Sequence, residues 1–207
     1  MKKLIFLQSS QFSHKDNVKK VFDIKEKETL YFTLLITKAA LYSIDLEFNL
    51  IGKDSFLFVY VIQYGVSNQA LNLNISNIHK SERSTGKIFI RRVMKDSSSS
   101  FINGKLIMEK EAQNSSDFFD EKTLILGDRV VSKVIPSLEI IPSNVFVSHS
   151  SSIAPIPENY LFYLQSRGIL SDDAYSMIER GFMLSCIDNI LDKKIREEIK
   201  NKVSLYI

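Results

Sequence analysis

Tyr42-Ser43-Ile44-Asp45-Leu46-Glu47-Phe48-Asn49-Leu50 alternates apolar and polar residues without a break. Successive side chains of a strand point to opposite faces, so this spacing puts the apolar groups on one side and the polar groups on the other, as in a half-buried strand. Leu71-Asn72-Leu73-Asn74-Ile75 repeats the pattern. Shorter β-rich runs at Tyr31–Ile36, Phe56–Ile62, Lys87–Val93, Gly104–Met108, Thr123–Leu126 and Asn144–Ser148 sit between polar breaks. Residues 30–148 thus hold about nine candidate strands and almost no helical periodicity.

Many short strands suit either an antiparallel sandwich or a solenoid whose turns stack as parallel strands. Sandwiches usually carry tight Asn-Gly or Asp-Gly turns, and here only Asn103-Gly104, between two β-type runs, and Gly127-Asp128 come close. Asn77–Thr85 and Glu111–Lys122 are instead polar connections without Gly, suited to the loose corners of a β-helix. This favours the solenoid mildly, and no strict repeat is visible to settle the choice. The run Asp96-Ser97-Ser98-Ser99-Ser100 reads as a flexible surface loop.

The pattern changes after Ser152. Pro157 followed by Glu158 suits a first helical turn, where the missing proline N–H costs nothing and an acid meets the positive end of the helix dipole. Leu161, Phe162 and Leu164 would ride on this helix, and Gly168 would end it. Ser171 is a candidate N-cap for a second helix over 171–191, with Ala174, Met177, Ile178, Phe182, Leu184 and Leu191 as its apolar stripe. Ile195, Ile199 and Val203 mark a third helix from Lys193. The chain therefore divides into a β body over 1–153 and a helical segment over 154–207.

Composition bounds the chemistry. The chain has 207 residues, 44% apolar and 25% charged, the balance of a globular domain. Its net charge of +3 comes without a dense Lys/Arg stripe, so a nucleic-acid partner is not expected. The apolar run at Leu4–Leu7 is too short for an export signal, and none approaches the roughly 20 residues of a membrane span, so no membrane partner and a cytoplasmic location are expected. One cysteine, Cys186, excludes an intrachain disulfide and a cysteine-only metal site within one chain. On its helix it reads as a small buried hydrophobe. His14 and His79 read as solvated surface histidines.

Phe101-Ile102-Asn103-Gly104-Lys105, Ala112-Gln113, Leu124-Ile125-Leu126, Pro136-Ser137-Leu138-Glu139-Ile140, Val145 through His149, and Leu161-Phe162-Tyr163-Leu164-Gln165-Ser166-Arg167-Gly168 form an ordered set, followed by Ala174 and Gly181-Phe182. In order and spacing the set resembles the SufB/SufD family of iron–sulfur cluster assembly proteins. The stretch from His79 through Arg91-Arg92-Val93 resembles that family more loosely. The resemblance implies a right-handed parallel β-helix followed by a small C-terminal helical domain, without the N-terminal helical region of longer members. Val145-Phe146-Val147-Ser148-His149-Ser150 is closer to SufD than to SufB, with Val147 where SufD-type chains resemble a cysteine.

The resemblance also implies function: a non-catalytic SufD-like scaffold subunit of an ATP-driven assembly complex. Its partners would be a SufC-like ATPase and either a SufB-like subunit or a second copy of this chain. His149 would be a metal ligand to a transient iron–sulfur cluster shared at a subunit interface, since one imidazole cannot hold a cluster. Read from the residues alone, His149 is a strand-end imidazole hydrogen-bonded to Ser148 or Ser150. Tyr163, Arg167 and Phe182 would contact the ATPase, although Leu-Phe-Tyr-Leu at helical spacing also suits a core and Arg167 also suits helix-end carbonyls. Val147 and the lack of flanking acids suggest the alternative of a dimerising β-solenoid without cluster chemistry. An unrelated polysaccharide-binding β-helix would need exposed aromatics, for which Tyr31, Tyr42 and Tyr60 are the candidates.

Overall fold

A computed structural model describes residues 1–11, 17–37, 41–188 and 190–206. Eleven strands lead into three α-helices: β1 Lys2–Gln8, β2 Asn17–Ile24, β3 Thr29–Ile36, β4 Leu41–Leu50, β5 Phe56–Gly65, β6 Ala70–His79, β7 Thr85–Lys95, β8 Ser99–Met108, β9 Ser116–Leu126, β10 Val131–Ile140, β11 Phe146–Pro155, α1 Glu158–Ser166, α2 Ser171–Leu184 and α3 Lys193–Ser204. Odd-numbered strands form one six-stranded sheet and even-numbered strands a five-stranded sheet, every pair parallel and in chain order. The chain is a β-solenoid of about five turns, which decides the open choice against the sandwich.

The two sheets differ in what lies on their outer faces. On the five-stranded sheet, Ile44, Leu46 and Phe48 point inward while Asp45 and Glu47 face out, which is why the alternation of Tyr42–Leu50 is so clean. The six-stranded sheet is covered on both faces where α2 and α3 pack on it, so β3 is buried along almost its whole length and reads as a continuous apolar run. Ile24, Phe32, Phe48, Val59 and Leu73 belong to the core between the sheets. Leu35, Tyr60, Ile62 and Val93 join Met183, Ile187, Ile199 and Val203 in a second core under the helices.

A structural repeat exists where the sequence shows none. Asn103 donates to Asn74 (2.7 Å) and Asn74 to Asp45 (2.6 Å), each 29 residues apart, as a ladder across the outer face of β8, β6 and β4. Lys27, Asp54, Arg83 and Asn114 turn successive corners with φ of 54–57°, and each precedes a residue tucked inside: Glu28, Ser55, Ser84 or Ser115. Left-handed backbone costs a non-glycine residue roughly 1–2 kcal/mol, so these corners persist only because the stacked turns around them demand it. Ser67 and Asp96 turn the opposite corner with φ of 55° and 56°, the tucked residue coming two positions later at Gln69 and Ser98.

Several local expectations change. Asn103-Gly104 is not a turn but the middle of β8, and its glycine makes room for Phe119: a Cβ at Gly104 would lie 2.3 Å from that ring. The serine run is not a loose loop, because Ser98 and Ser100 are buried and donate to the Lys95 carbonyl (2.7 Å) and to Gln63 Oε1 (2.9 Å). Much of Glu111–Lys122 is β9, whose polar residues Asp117 and Glu121 face inward and are paired there. β1 and β2 also lie ahead of the stretch read as strands.

The first and third helices match the reading from Pro157, Gly168 and Lys193. α2 is shorter than 171–191, ending at Leu184 where turns seat Cys186 and Ile187 in the second core, and Leu170 rather than Ser171 holds its N-cap position. Asp192 caps α3 by accepting from the Lys194 and Ile195 amides (3.1 and 3.2 Å) and also binds Lys2 Nζ at 2.6 Å, fastening the first strand to the last helix. No helix among the described residues is long and apolar enough to cross a membrane.

Candidate functional site

The last turn of the solenoid, β10 and β11, lies at the edge of both sheets, with no turn stacked beyond it among the described residues. Its outer edge exposes apolar side chains, with Phe146 73% exposed and Val131, Ile135 and Ile153 also open. A free strand edge with apolar residues is a surface that another chain can cover. His149 lies on β11 beside Phe119 of β9. Val147 packs against the inner core, and Ser151 Oγ donates to Glu121 Oε2 (2.7 Å), so alternation places His149, between them, on the inner side of the open turn. It is exposed and makes no hydrogen bond to Ser148 or Ser150.

Among the described residues no three of His, Cys, Asp and Glu gather to hold a metal ion. The donor set at His149 therefore does not fit a cluster held by this chain alone, since a cluster needs several thiolate or imidazole ligands. Cys186 lies away from it, buried in the second core, where burial pushes its thiol up to about 12.

The three residues expected to contact an ATPase separate. Tyr163 and Arg167 are exposed on α1 and just after it, the Arg167 guanidinium lying 5.4 Å from the centre of the Tyr163 ring. Arg167 thus uses its charge on an aromatic face and not on helix-end carbonyls. Phe182 is half-buried and packs into the second core. α1 buries no residue at all, and Phe162 and Leu170 are each 73% exposed, with Tyr160 and Met177 open beside them. Within Leu-Phe-Tyr-Leu, Phe162 and Tyr163 are an uncovered surface, while Leu161 packs on the second core and Leu164 is half-buried.

Polar residues inside the later turns escaped the sequence reading. His79 is fully buried, not solvated: its Nδ1 lies 2.7 Å from Ser84 Oγ and its Nε2 2.9 Å from Asp117 Oδ2, which also accepts from Asn77 (2.8 Å). The stacking of Ser84 on Ser115 (3.0 Å) closes this corner over it. At the opposite corner Arg92, fully buried, donates to Glu121 (2.9 Å) and to Ser132 (2.9 Å). Burial pushes the Arg92 guanidinium below its ordinary value, and Glu121 opposes that shift. The signal that could have shown the His79 corner was the recurrence of a corner residue followed by serine at Asp54-Ser55, Arg83-Ser84 and Asn114-Ser115. His14 lies outside the described residues. Tyr31, Tyr42 and Tyr60 are buried, so they offer polysaccharide no exposed row.

Comparison with known proteins agrees with this architecture. The family model for the SUF system FeS cluster assembly SufBD core domain matches residues 3–182. The chain belongs to the SufBD family. It is 26% identical over 151 residues to the iron–sulfur cluster assembly protein SufD of Bacillus subtilis, covering 73% of this chain and 35% of that protein. It is 28% identical over 122 residues to a SufBD family protein of Staphylococcus saprophyticus, covering 59% of this chain and 26% of the relative. A SufBD family protein of Synechocystis is 25% identical over 141 residues, covering 68% and 29%. The chain thus matches about a third or less of the length of these relatives. SufBD proteins take part in iron–sulfur cluster assembly, and within the family SufD is a close named match.

Proposed function

We propose that this chain is a SufD-like, non-catalytic scaffold subunit of an iron–sulfur cluster assembly complex driven by ATP hydrolysed in a SufC-like partner. The observation that carries the reading is the pair of uncovered apolar surfaces: the α1 patch around Phe162, Tyr163 and Leu170, and the open last turn around Phe146. Burying apolar surface at about 25 cal/mol per Å² is the main favourable term in association, and exposed contiguous apolar patches mark interaction sites. The α1 patch, with Tyr163 and Arg167 on it, is the docking site for the ATPase. The last turn receives a SufB-like subunit or a second copy of this chain. His149, at that boundary, is one ligand to a cluster whose other ligands come from the second subunit, and the cluster is cargo, not a resident group.

Co-expression with SufB-like and SufC-like chains tests the reading. All three should co-elute from a sizing column. Phe162→Glu should release the ATPase alone, and Phe146→Glu the second subunit alone. If neither partner co-elutes with the unaltered chain, the proposal is overturned.

Val147 favours a second reading, an interaction module of the same family that has lost cluster chemistry, because its side chain is engaged in the inner core and offers no sulfur. Anaerobic reconstitution of the complex with iron and sulfide separates the two. A His149→Ala change that lowers cluster yield supports the scaffold with a ligand; unchanged yield supports the module.

A further inference from the structure

On the outer face of the six-stranded sheet lies a cavity of about 320 Å³ lined by Tyr31, Phe58, Tyr60, Lys87, Phe89 and Phe118, with Ile190 and Leu191 as its side wall. It is separate from the last turn and from the α1 patch. The aromatic floor follows from the register: Tyr31 pairs with Phe58, Phe58 with Lys87 and Lys87 with Phe118, while Tyr60 pairs with Phe89 in the adjoining row. Side chains in register on one face of a parallel sheet stand side by side, so rings stack along the row. Tyr31 and Phe58 are stacked with centroids 5.0 Å apart and planes within 15°, and Tyr60 and Phe89 with centroids 5.7 Å apart and planes within 12°.

Among the described residues the polar side-chain atoms of this cavity have no hydrogen-bond partners. Tyr60 is only 2% exposed, yet its hydroxyl makes no hydrogen bond among the described residues, and neither does that of Tyr31. Lys87 stands between two aromatic residues in its row, exposed and without an ion pair among the described residues. Among the described residues no acidic side chain lines the cavity. Elsewhere on the same face acids are already engaged: Asp120 with Arg91 (2.5 Å), and Asp192 with Lys2 (2.6 Å). An ammonium can only donate, and each phenol can donate as well as accept, so it is Lys87 that calls for an acceptor or a negative charge on a matching ligand. Flat rings favour offset stacking on another flat ring, and a volume near the lower bound of about 300 Å³ for ligand pockets suits one fused or linked pair of rings.

We propose that this cavity binds a planar aromatic ligand bearing a negative charge, its ring system against Phe58, Tyr60 and Phe89 and its anionic group at Lys87. The site stands independently of the scaffold role, because its residues are neither on α1 nor on the last turn.

The test is a fluorescence titration of the full chain with 8-anilinonaphthalene-1-sulfonate, a planar aromatic sulfonate, beside N-phenyl-1-naphthylamine, its uncharged counterpart. The sulfonate should saturate a component of one equivalent that depends on Lys87. Lys87→Gln should weaken that component about tenfold, the size of one charge-assisted contact, and leave the uncharged probe within about twofold. Raising the salt concentration should weaken the sulfonate alone. Leu191→Glu, at a position 96% exposed and so harmless to folding, should weaken the sulfonate by repulsion at the mouth. The proposal is overturned if Lys87→Gln and Leu191→Glu both leave sulfonate binding unchanged, or if both probes weaken equally in Lys87→Gln. Far-UV circular dichroism on each variant confirms that the fold is intact.

Discussion

The two ends of the solenoid are filled by different chemistry. In the early turns Phe22, Phe32 and Phe48 meet with ring centroids 5.1–5.2 Å apart, and Ile24, Leu34, Val59 and Leu73 complete a dry interior. In the later turns the same inward positions carry Arg92, Glu121, Asp117, His79 and Ser100, all buried and joined by hydrogen bonds. The first end is held by packing, which is non-directional. The later interior keeps apolar residues such as Ile90, Ile102 and Phe119 and adds directional bonds that lead, through Ser151 and Glu121, to the open turn that carries His149. The solenoid's repeating backbone supports both fillings because each turn needs only that inward side chains fit and are satisfied.

Three measurements would sharpen or break this contrast. The largest effect is expected at the aromatic end: Phe48→Ala leaves a cavity in a fully buried site and should cost about 4 kcal/mol in urea unfolding. A loss under 1 kcal/mol would show that the early turns are not held by packing. At the polar end, Glu121→Ala leaves the Arg92 guanidinium without its carboxylate, with Ser132 as its remaining partner, and should cost about 3 kcal/mol. The double change Arg92→Met with Glu121→Leu should recover most of that loss, since apolar replacements of similar volume remove the desolvation cost of both charges. If the double variant is no better than the single one, the interior polar cluster contributes more than charge neutralisation.

The smallest effect concerns Lys2 and Asp192, the pair that fastens the first strand to the cap of α3. The hydrogen bond from Lys2 and the helix amides hold the Asp192 carboxyl below its ordinary value of 3.8. A depressed folded value means that the pair stabilises the fold above that ordinary value, and that this contribution fades as pH falls through the lower folded value. The pair is exposed, so the change in melting temperature below pH 4 should be slight, reduced by salt and absent in Asp192→Asn. A salt-insensitive acid transition in that variant would place the origin elsewhere.

The contrast between the ends also explains what could be read without coordinates. Alternation at Tyr42–Leu50 and Leu71–Ile75 was legible because the five-stranded sheet has one face in water. The continuous run in β3 was recognisable as a strand, but nothing in it told that helices from the far end of the chain would cover its outer face. β9 was missed in part because Asp117 and Glu121 look like surface residues, and only partners 38 residues back in the chain, for His79, or 29 back, for Arg92, make them interior. His149 was found through its motif. That its imidazole faces an open end, while Val147 beside it is engaged in the core, is a matter of stacking.

The sequence by itself determined a β-rich body, its parallel winding through the family's ordered motifs, the limits of α1 and α3, and the scarcity of metal ligands. Those features rest on local spacing and residue type, which a chain displays wherever it is read. Only the tertiary structure decided which polar residues lie inside, which face of each sheet is covered, that Phe162 and Tyr163 of α1 stand uncovered, and that Tyr31, Phe58, Tyr60 and Lys87 meet around one cavity. Each of these depends on residues about 30 positions apart coming into register, and register is set by the stacking of whole turns, not by any one of them.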